Sequence, residues 1–284
     1  MGTVITVMNM KGGVGKTTLT AHLAGMLAMY PWGEKKKTFR VLAVDYDPQF
    51  NLSQAYLEPR VYFSLEKEGK TVRAVLQDDE SVVDPFTIQS PHTTKPPPLS
   101  KLIHRVITKS AGYLDLIPSS LELMYLAIGQ PDTRGDAFQK RFDEFIKSAK
   151  HAYDVVLIDC HPAGSILTST SLRSSDHVLI PTASSKYALR GVEMMFKFIE
   201  AVQTNGGKPT PHIVLNCVDA GFETQVRTAF PNHCVSAALR YYKAFEDPAA
   251  GTGFVWWSKK PHSTRAFRNL ENLTAEIVAR LALT

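Results

Sequence analysis

Eight residues, Lys11-Gly12-Gly13-Val14-Gly15-Lys16-Thr17-Thr18, constrain this chain more than any other stretch. They follow a short apolar run, Val4–Met8, and open a helical pattern over Lys16–Met29. Glycines let the backbone curl until successive N–H groups converge on one point, which suits phosphate oxygens. The start of a helix adds unpaired donors and a partial positive charge. In such a loop Lys16 reaches the β- and γ-phosphates and the Thr17 hydroxyl ligates Mg²⁺. A tight strand-to-helix turn also needs glycine, but it has no use for the Gly-Lys-Thr-Thr ending.

The rest of the chain suits such a loop. Strand-like runs at Val4–Met8, Phe39–Val44, Leu114–Ile117, Val155–Ile158, His177–Ile180 and His212–Leu215 alternate with helical patterns. The helical patterns are Lys16–Met29, Asp136–Lys150, Leu189–Gln203, Phe222–Ala229 and Thr264–Leu283. This alternation predicts an α/β fold, a mainly parallel twisted sheet with helices on both faces. Several strands are continuously apolar, as burial on both faces requires. In the last helix Phe267, Leu270, Ile277 and Leu281 share one side. With 284 residues, 44% hydrophobic and 21% charged, the chain is globular and long enough for a large core. Its three cysteines (Cys160, Cys217, Cys234) form no C-x-x-C and no disulfide framework, which favours a reducing, cytoplasmic setting. No run of about 18 apolar residues is present and the N-terminus has no basic leader, so neither a transmembrane helix nor a signal peptide is expected.

One segment breaks the rhythm. Residues 58–112 are read as an irregular insertion within a single domain spanning 1–284. The segment holds the charged stretch Leu-Glu-Lys-Glu-Gly-Lys at 65–70 and three prolines at Pro96–Pro98, which favour polyproline II and exclude helix or central strand. Asp84–Ser100 is expected to be an exposed loop.

The glycine-rich run departs from the ordinary P-loop pattern, with Met10 where glycine is usual and a second lysine, Lys11, after it. In this form it resembles the deviant Walker A motif of the ParA/MinD family of ATPases. That resemblance implies that Lys11 reaches across a dimer to the partner's nucleotide phosphates. Further matches follow in order. Asp45-Tyr46-Asp47-Pro48-Gln49-Phe50-Asn51 is similar to the family's switch I signature D-x-D-P-Q-x-N. By resemblance Asp45 supports the waters of Mg²⁺ and Asp47 orients the attacking water. Val155–Asp159 has the Walker B shape, four apolar residues ending in an acid, which places Asp159 where open α/β sheets bind ligands. Cys160-His161-Pro162 resembles switch II, where D-x-x-P is usual, but histidine is not the commonest residue there and His161 receives no role. Pro181 to Gly191 is similar to the family's P-x-x-x-S-x-x-A-L-x-G stretch. Asn216 falls where an asparagine amide, both donor and acceptor, reads adenine.

Membership of that family implies ATP and Mg²⁺ as cofactors, an ATP-dependent homodimer, and slow hydrolysis stimulated by a ParB-like or adaptor protein. Two branches differ in what the dimer binds. MinD-like members use a basic, bulky apolar C-terminal helix on membranes, whereas Thr274–Thr284 carries one base, one acid and no aromatic residue. The ParA branch is therefore preferred, with non-specific DNA as partner, nucleoid association in the ATP state, and partition of plasmid, chromosome or other cargo as the task. Between Arg227 and Arg268 seven basic residues face two acidic ones, a local surplus equal to the whole chain's net charge of +5. Arg240, Lys243, Lys259, Lys260, Arg265 and Arg268 are the candidate DNA contacts. An iron-protein-type reductase shares the deviant loop but needs paired cluster cysteines, for which this chain has no convincing set.

Overall fold

The computed structural model describes residues 1–78, 91, 93–109, 111–128, 135–162, 164–185, 187–246 and 248–283. In chain order its elements are β1 (Thr3–Val7), α1 (Lys16–Met29), β2 (Arg40–Tyr46), α2 (Asn51–Tyr56), α3 (Pro59–Lys67), α4 (Val72–Leu76), α5 (Leu99–Leu102), β3 (His104–Lys109) and β4 (Gly112–Ile117). There follow α6 (Leu123–Ile128), α7 (Gly135–Ala152), β5 (Val155–Cys160), α8 (Ile166–Arg173), β6 (His177–Thr182), α9 (Ala188–Thr204), β7 (Thr210–Leu215), α10 (Ala220–Ala229), a short 3₁₀ turn at Lys243–Phe245, and α11 (Ser263–Arg280). Among the described residues the strands form one sheet in the order β3-β4-β2-β5-β1-β6-β7. Every pairing is parallel except that of β3 with β4, so the expected α/β architecture is the one observed.

Side chains of successive strand residues point to opposite faces, and both faces here are apolar. Ile5, Val7, Val41, Ala43, Val155 and Leu157 face one core with α1 and α11. Val4, Leu42, Val44, Val156 and Ile158 face the other with α7, α8 and α9. Helix α1 is buried nearly all round because it lies between the sheet and α11. On α11, Leu270, Leu273 and Ile277 are buried, while Phe267 is half-buried and meets Tyr30 edge-on at 5.2 Å. The apolar face of this last helix is therefore consumed by packing within the chain. Among the described residues no helix is long and apolar enough to cross a membrane.

The segment 58–112 is more regular than the sequence suggests. The charged stretch read as irregular is in part the end of α3, which starts with Pro59 in its first turn and stops before Gly69 at φ 67°. Strand β3 escaped detection because it is a bulged edge strand that buries Ile107 while most of its other residues stay open. Of the loop expected at Asp84–Ser100, residues 84–90 and 92 lie outside the described residues. Thr93, Thr94 and Lys95 are exposed, but Pro91 is buried and Leu99 and Ser100 already belong to α5, so the exposed stretch is shorter than expected. That stretch is nonetheless anchored: Arg141 of α7, only 2% exposed, donates to the Thr93 and Lys95 carbonyls and to the Ala74 carbonyl. A buried guanidinium is tolerable only with such partners.

Candidate functional site

The sheet order explains why motifs distant in sequence meet. β5 lies between β1 and β2, with Val7 opposite Asp159 and Asp45 opposite Asp159 in the ladder. The carboxyl ends of three strands therefore present the glycine-rich loop, Asp159 and Asp45 side by side. This is the crevice where open α/β sheets place ligands.

The loop is held in shape by bonds from outside itself. Gly13 and Gly15 adopt φ 73° and 84°, conformations that L side chains rarely adopt. The Asn216 side-chain amide donates to the Val14 carbonyl at 2.8 Å, and a Cβ on Gly15 would stand 2.2 Å from that same amide nitrogen. Asn9, 1% exposed, accepts from the Lys11 backbone N–H at 3.0 Å and donates to the Pro181 carbonyl at 2.9 Å, tying the loop to the end of β6. Lys16 is buried at the first position of α1. The Lys11 ammonium donates to the Ser185 hydroxyl in the same chain. Asn9 was not singled out in the sequence. An asparagine two residues before the lysine carries no spacing signal of its own.

The three aspartates have different environments. Asp159 is fully buried and accepts from the Thr20 hydroxyl at 3.1 Å and from Thr17, while its Oδ2 has no hydrogen-bond partner. Burial pushes its pKa up to about 7, with the negative charge of Asp47 adding to the rise. Asp45 is also fully buried, and its Oδ2 accepts from the Ser53 backbone N–H at 2.7 Å and the Ser53 hydroxyl at 2.6 Å. Burial, helped by Asp159, raises its pKa well above the usual carboxylate range. Asp47 behaves oppositely. Burial works against its charge, but bonds from His161 and the Gln49 N–H, with the positive field of Lys16, hold its pKa below the ordinary value.

The two switch I carboxylates thus part company, because the chain turns directly after β2. Phe50 N–H closes a turn onto the Asp47 carbonyl at 2.9 Å, and the Ser119 hydroxyl donates to that carbonyl at 2.7 Å. Phe50 itself sits at φ 44° and stacks on Tyr62 of α3, ring centroids 4.9 Å apart. Ser53, Ser119 and Tyr62 therefore support the switch, and none was predicted to. Ser53 was within reach, since it lies on the helix that follows the signature; Ser119 and Tyr62 come from segments with no motif.

Beside the start of α1 lies a cavity of about 280 Å³ lined by Thr18, Asn216, Leu239, Tyr242, Phe245 and Glu246. Asn216, expected to read a base, lines this cavity, but its amide donates to the Val14 carbonyl and its oxygen accepts from the Cys217 thiol at 3.3 Å. Hard oxygen donors, Thr17, Asp45 and Asp159, with one buried carboxylate oxygen left unpartnered, fit a magnesium ion brought in by nucleotide phosphates. Among the described residues no cluster of three His, Cys, Asp or Glu could hold a metal unaided. The cysteines lie apart in the fold: Cys160 is buried on β5 beside Ser171, Cys217 follows β7, and Cys234 is buried near Val226.

The candidate DNA residues are spread over the region after α10. Lys243, Lys259, Arg265 and Arg268 are exposed. Arg240 is exposed too, but its guanidinium pairs with Glu223 at 3.0 Å and its backbone N–H donates to Asn269 of α11. Lys260 donates to the Glu246 carbonyl at 2.9 Å.

A phosphate loop on a parallel sheet, with a buried aspartate at the neighbouring strand end, defines the class of P-loop ATPases. The family model for an AAA domain, AAA_31, matches residues 2–210. The chain is 31% identical over 205 residues to the sporulation initiation inhibitor protein Soj of Bacillus subtilis strain 168, covering 72% of this chain and 67% of Soj. The chain belongs to this family, that of the ParA/MinD P-loop ATPases. Two solved structures share the fold. A plasmid partition protein from Borrelia burgdorferi B31, bound to AMPPNP, matches with a TM-score of 0.63 at 19% identity, over 98% of this chain and 99% of that one. The ParA of pNOB8, bound to nonspecific DNA, matches with a TM-score of 0.63 at 22% identity, over 99% of each chain.

Proposed function

We propose that this chain is a partition-type ATPase that binds ATP with Mg²⁺, dimerises around it, and in that state binds DNA without sequence preference. The observation that carries this reading is the strand register, which gathers Lys16, Asp45, Asp47 and Asp159 around the mouth of a glycine-rich loop. In this reading Gly12, Gly13, Val14, Gly15 and Thr18 shape the phosphate cradle, and Lys16 neutralises the β- and γ-phosphates. Lys11 leaves Ser185 to contact the nucleotide of a second copy. Asp47, kept ionised, orients the attacking water. Thr17, Asp45 and Asp159 would hold magnesium, which supplies charge neutralisation at the phosphates when bound. Phosphoryl transfer asks for little covalent help, so catalysis is positioning and electrostatics.

In this reading the cavity lined by Asn216, Tyr242 and Glu246 receives the adenine base. Hydrolysis is slow and is raised by a ParB-like or adaptor protein, and the whole chain acts as one ATPase domain in the cytoplasm, on the nucleoid when ATP-bound. Lys243, Lys259, Arg265 and Arg268, with Arg240 and Lys260, supply the cationic surface. The partners of the neighbours, nonspecific DNA for pNOB8 ParA above all, support this choice. Burial of the apolar face of α11 speaks against a membrane anchor. Sedimentation with random-sequence DNA under ATP, ADP and no nucleotide, beside anionic liposomes, tests the reading. ATP-dependent DNA binding is the expected result; liposome binding without DNA binding would replace it with a MinD-like assignment.

A further inference from the structure

The histidine that sequence left without a role stands one step beyond a paired rung of the sheet. Tyr46 of β2 pairs with Cys160 of β5, and the next residues on the two strands are Asp47 and His161. Their side chains meet, with His161 Nδ1 at 3.3 Å from Asp47 Oδ1. A carboxylate only accepts, so Nδ1 carries the hydrogen.

We infer that His161 is the positioning residue for Asp47, fixing the carboxylate from the neighbouring strand so that its other oxygen is presented to the attacking water. This rests on the proposed role of Asp47 in hydrolysis. The Asp47 backbone is already held by Ser119 and by the Phe50 turn, but those bonds leave the side chain free to rotate. Two donors restrain it. The Gln49 N–H at 3.0 Å belongs to the same turn and moves with it. Among the described residues His161 is the only donor to this carboxylate from another element. The side chains are 22% and 8% exposed, so the bond is shielded from water on the Asp47 side. At 3.3 Å the bond is long, so what it contributes is orientation of the carboxylate more than binding strength. It ties switch I to the strand that carries Asp159, the acid proposed to serve magnesium.

The test is steady-state ATP hydrolysis in magnesium, with kcat and KM determined for each variant alongside its melting temperature. His161→Phe keeps a ring without the donor, and His161→Asn keeps an amide donor near the position of Nδ1. The expected result is a kcat about ten- to a hundredfold lower in His161→Phe, the scale of a misplaced catalytic group, with KM within about twofold. His161→Asn should recover most of the loss. Adding His161→Phe to Asp47→Ala should cost nothing further, because the residue acts only through that carboxylate. Wild-type kcat in His161→Phe, equal losses in the Phe and Asn variants, or an added loss in the double variant would each overturn the inference. If Asp47→Ala itself hydrolyses at the wild-type rate, the failure lies in the proposed role of Asp47 and not in the contact.

Discussion

The phosphate end of the site and the surface between Arg240 and Arg268 both gather charge, but they are built in opposite ways. At the phosphate end Lys16, Asp45, Asp47 and Asp159 are all buried, and the three aspartates hold bonds from named partners. On the later surface Lys243, Lys259, Arg265 and Arg268 lie open to solvent. Charges in a low-dielectric setting interact strongly and over fixed geometry, whereas exposed ones are screened within about 10 Å at ordinary salt. The contrast teaches what kind of response each region gives. Changes at the first should be all-or-none and nearly salt-independent; changes at the second should be graded, additive and erased by salt.

The sharpest way to break that contrast is Gly15→Ala. The backbone there sits at φ 84°, and the new Cβ would fall 2.2 Å from the Asn216 amide nitrogen. Strain of about 1–3 kcal/mol adds to a lost Asn216–Val14 bond of about 1 kcal/mol. Nucleotide affinity should drop on the order of 100-fold, read by calorimetry with a non-hydrolysable ATP analogue. Near-native affinity would mean that the loop is more compliant than its bonding suggests. Asp47→Ala comes next. Loss of the carboxylate should lower hydrolysis about 100-fold or more while ATP binding changes only a few-fold. ATP-bound dimer should then accumulate in light scattering.

How far the sequence foretold these regions follows from the same contrast. The motif residues were legible because phosphate and magnesium chemistry demands fixed residue types at fixed spacings, as in Lys11–Thr18 and Asp45–Asn51. The strands were legible because burial on both faces leaves continuous apolar runs such as Val155–Ile158. The supporting residues were not. Ser53, Ser119, Asn9 and Arg141 act through contacts made by distant segments, and a serine or asparagine is an ordinary turn residue until its partner is known. Helix α3 and edge strand β3 were obscured by charged residues, which surface elements tolerate and which mask periodicity. The exposed cations leave only a compositional trace, because binding a uniform polyanion requires no spacing.

One buried residue joins the two regions and gives a smaller, pH-dependent effect. His22 of α1 lies among Phe245, Phe254 and Trp256, with ring centroids 5.1 to 5.7 Å away. Burial lowers its pKa to about 4, against an ordinary 6.5, even though a bond to the Thr18 carbonyl opposes the shift. The folded chain therefore holds it neutral, and its stabilising share is complete above pH 6.5 and lost as pH falls toward 4. Between pH 7 and pH 5 stability should fall by about 2 kcal/mol from this group. Urea denaturation at the two values, compared with His22→Leu, isolates it, since the variant should lose that part of the pH dependence. An unchanged pH dependence in the variant would show that His22 stays neutral in neither state or both.

The smallest effects belong to the exposed cations, and they carry the comparison to its finest point. Each phosphate contact releases counterions, so the logarithm of affinity falls with the logarithm of salt by about 0.9 per contact. Removing one contacting charge should lower that slope by about 0.9, and raising salt from 50 to 200 mM then costs roughly threefold less binding per charge removed. Lys243→Ala and Arg268→Ala should each show this step, and together the sum of both, equally on random and defined DNA because phosphate contacts carry no sequence information. Arg240 differs, since its guanidinium is paired with Glu223 at 3.0 Å in the folded chain. Part of its charge is already neutralised, and DNA must compete with a carboxylate that Arg227 also holds. Arg240→Ala should therefore change the slope by clearly less than Lys243→Ala, and Glu223→Gln should raise DNA affinity by freeing the Arg240 guanidinium, while Arg227 stays held by the Val235 and Ser236 carbonyls. Equal slopes for Arg240→Ala and Lys243→Ala would show that the ion pair opens on binding. A single cation whose loss abolishes binding at every salt concentration would erase the distinction between the two regions, because it would make the surface behave like the buried site.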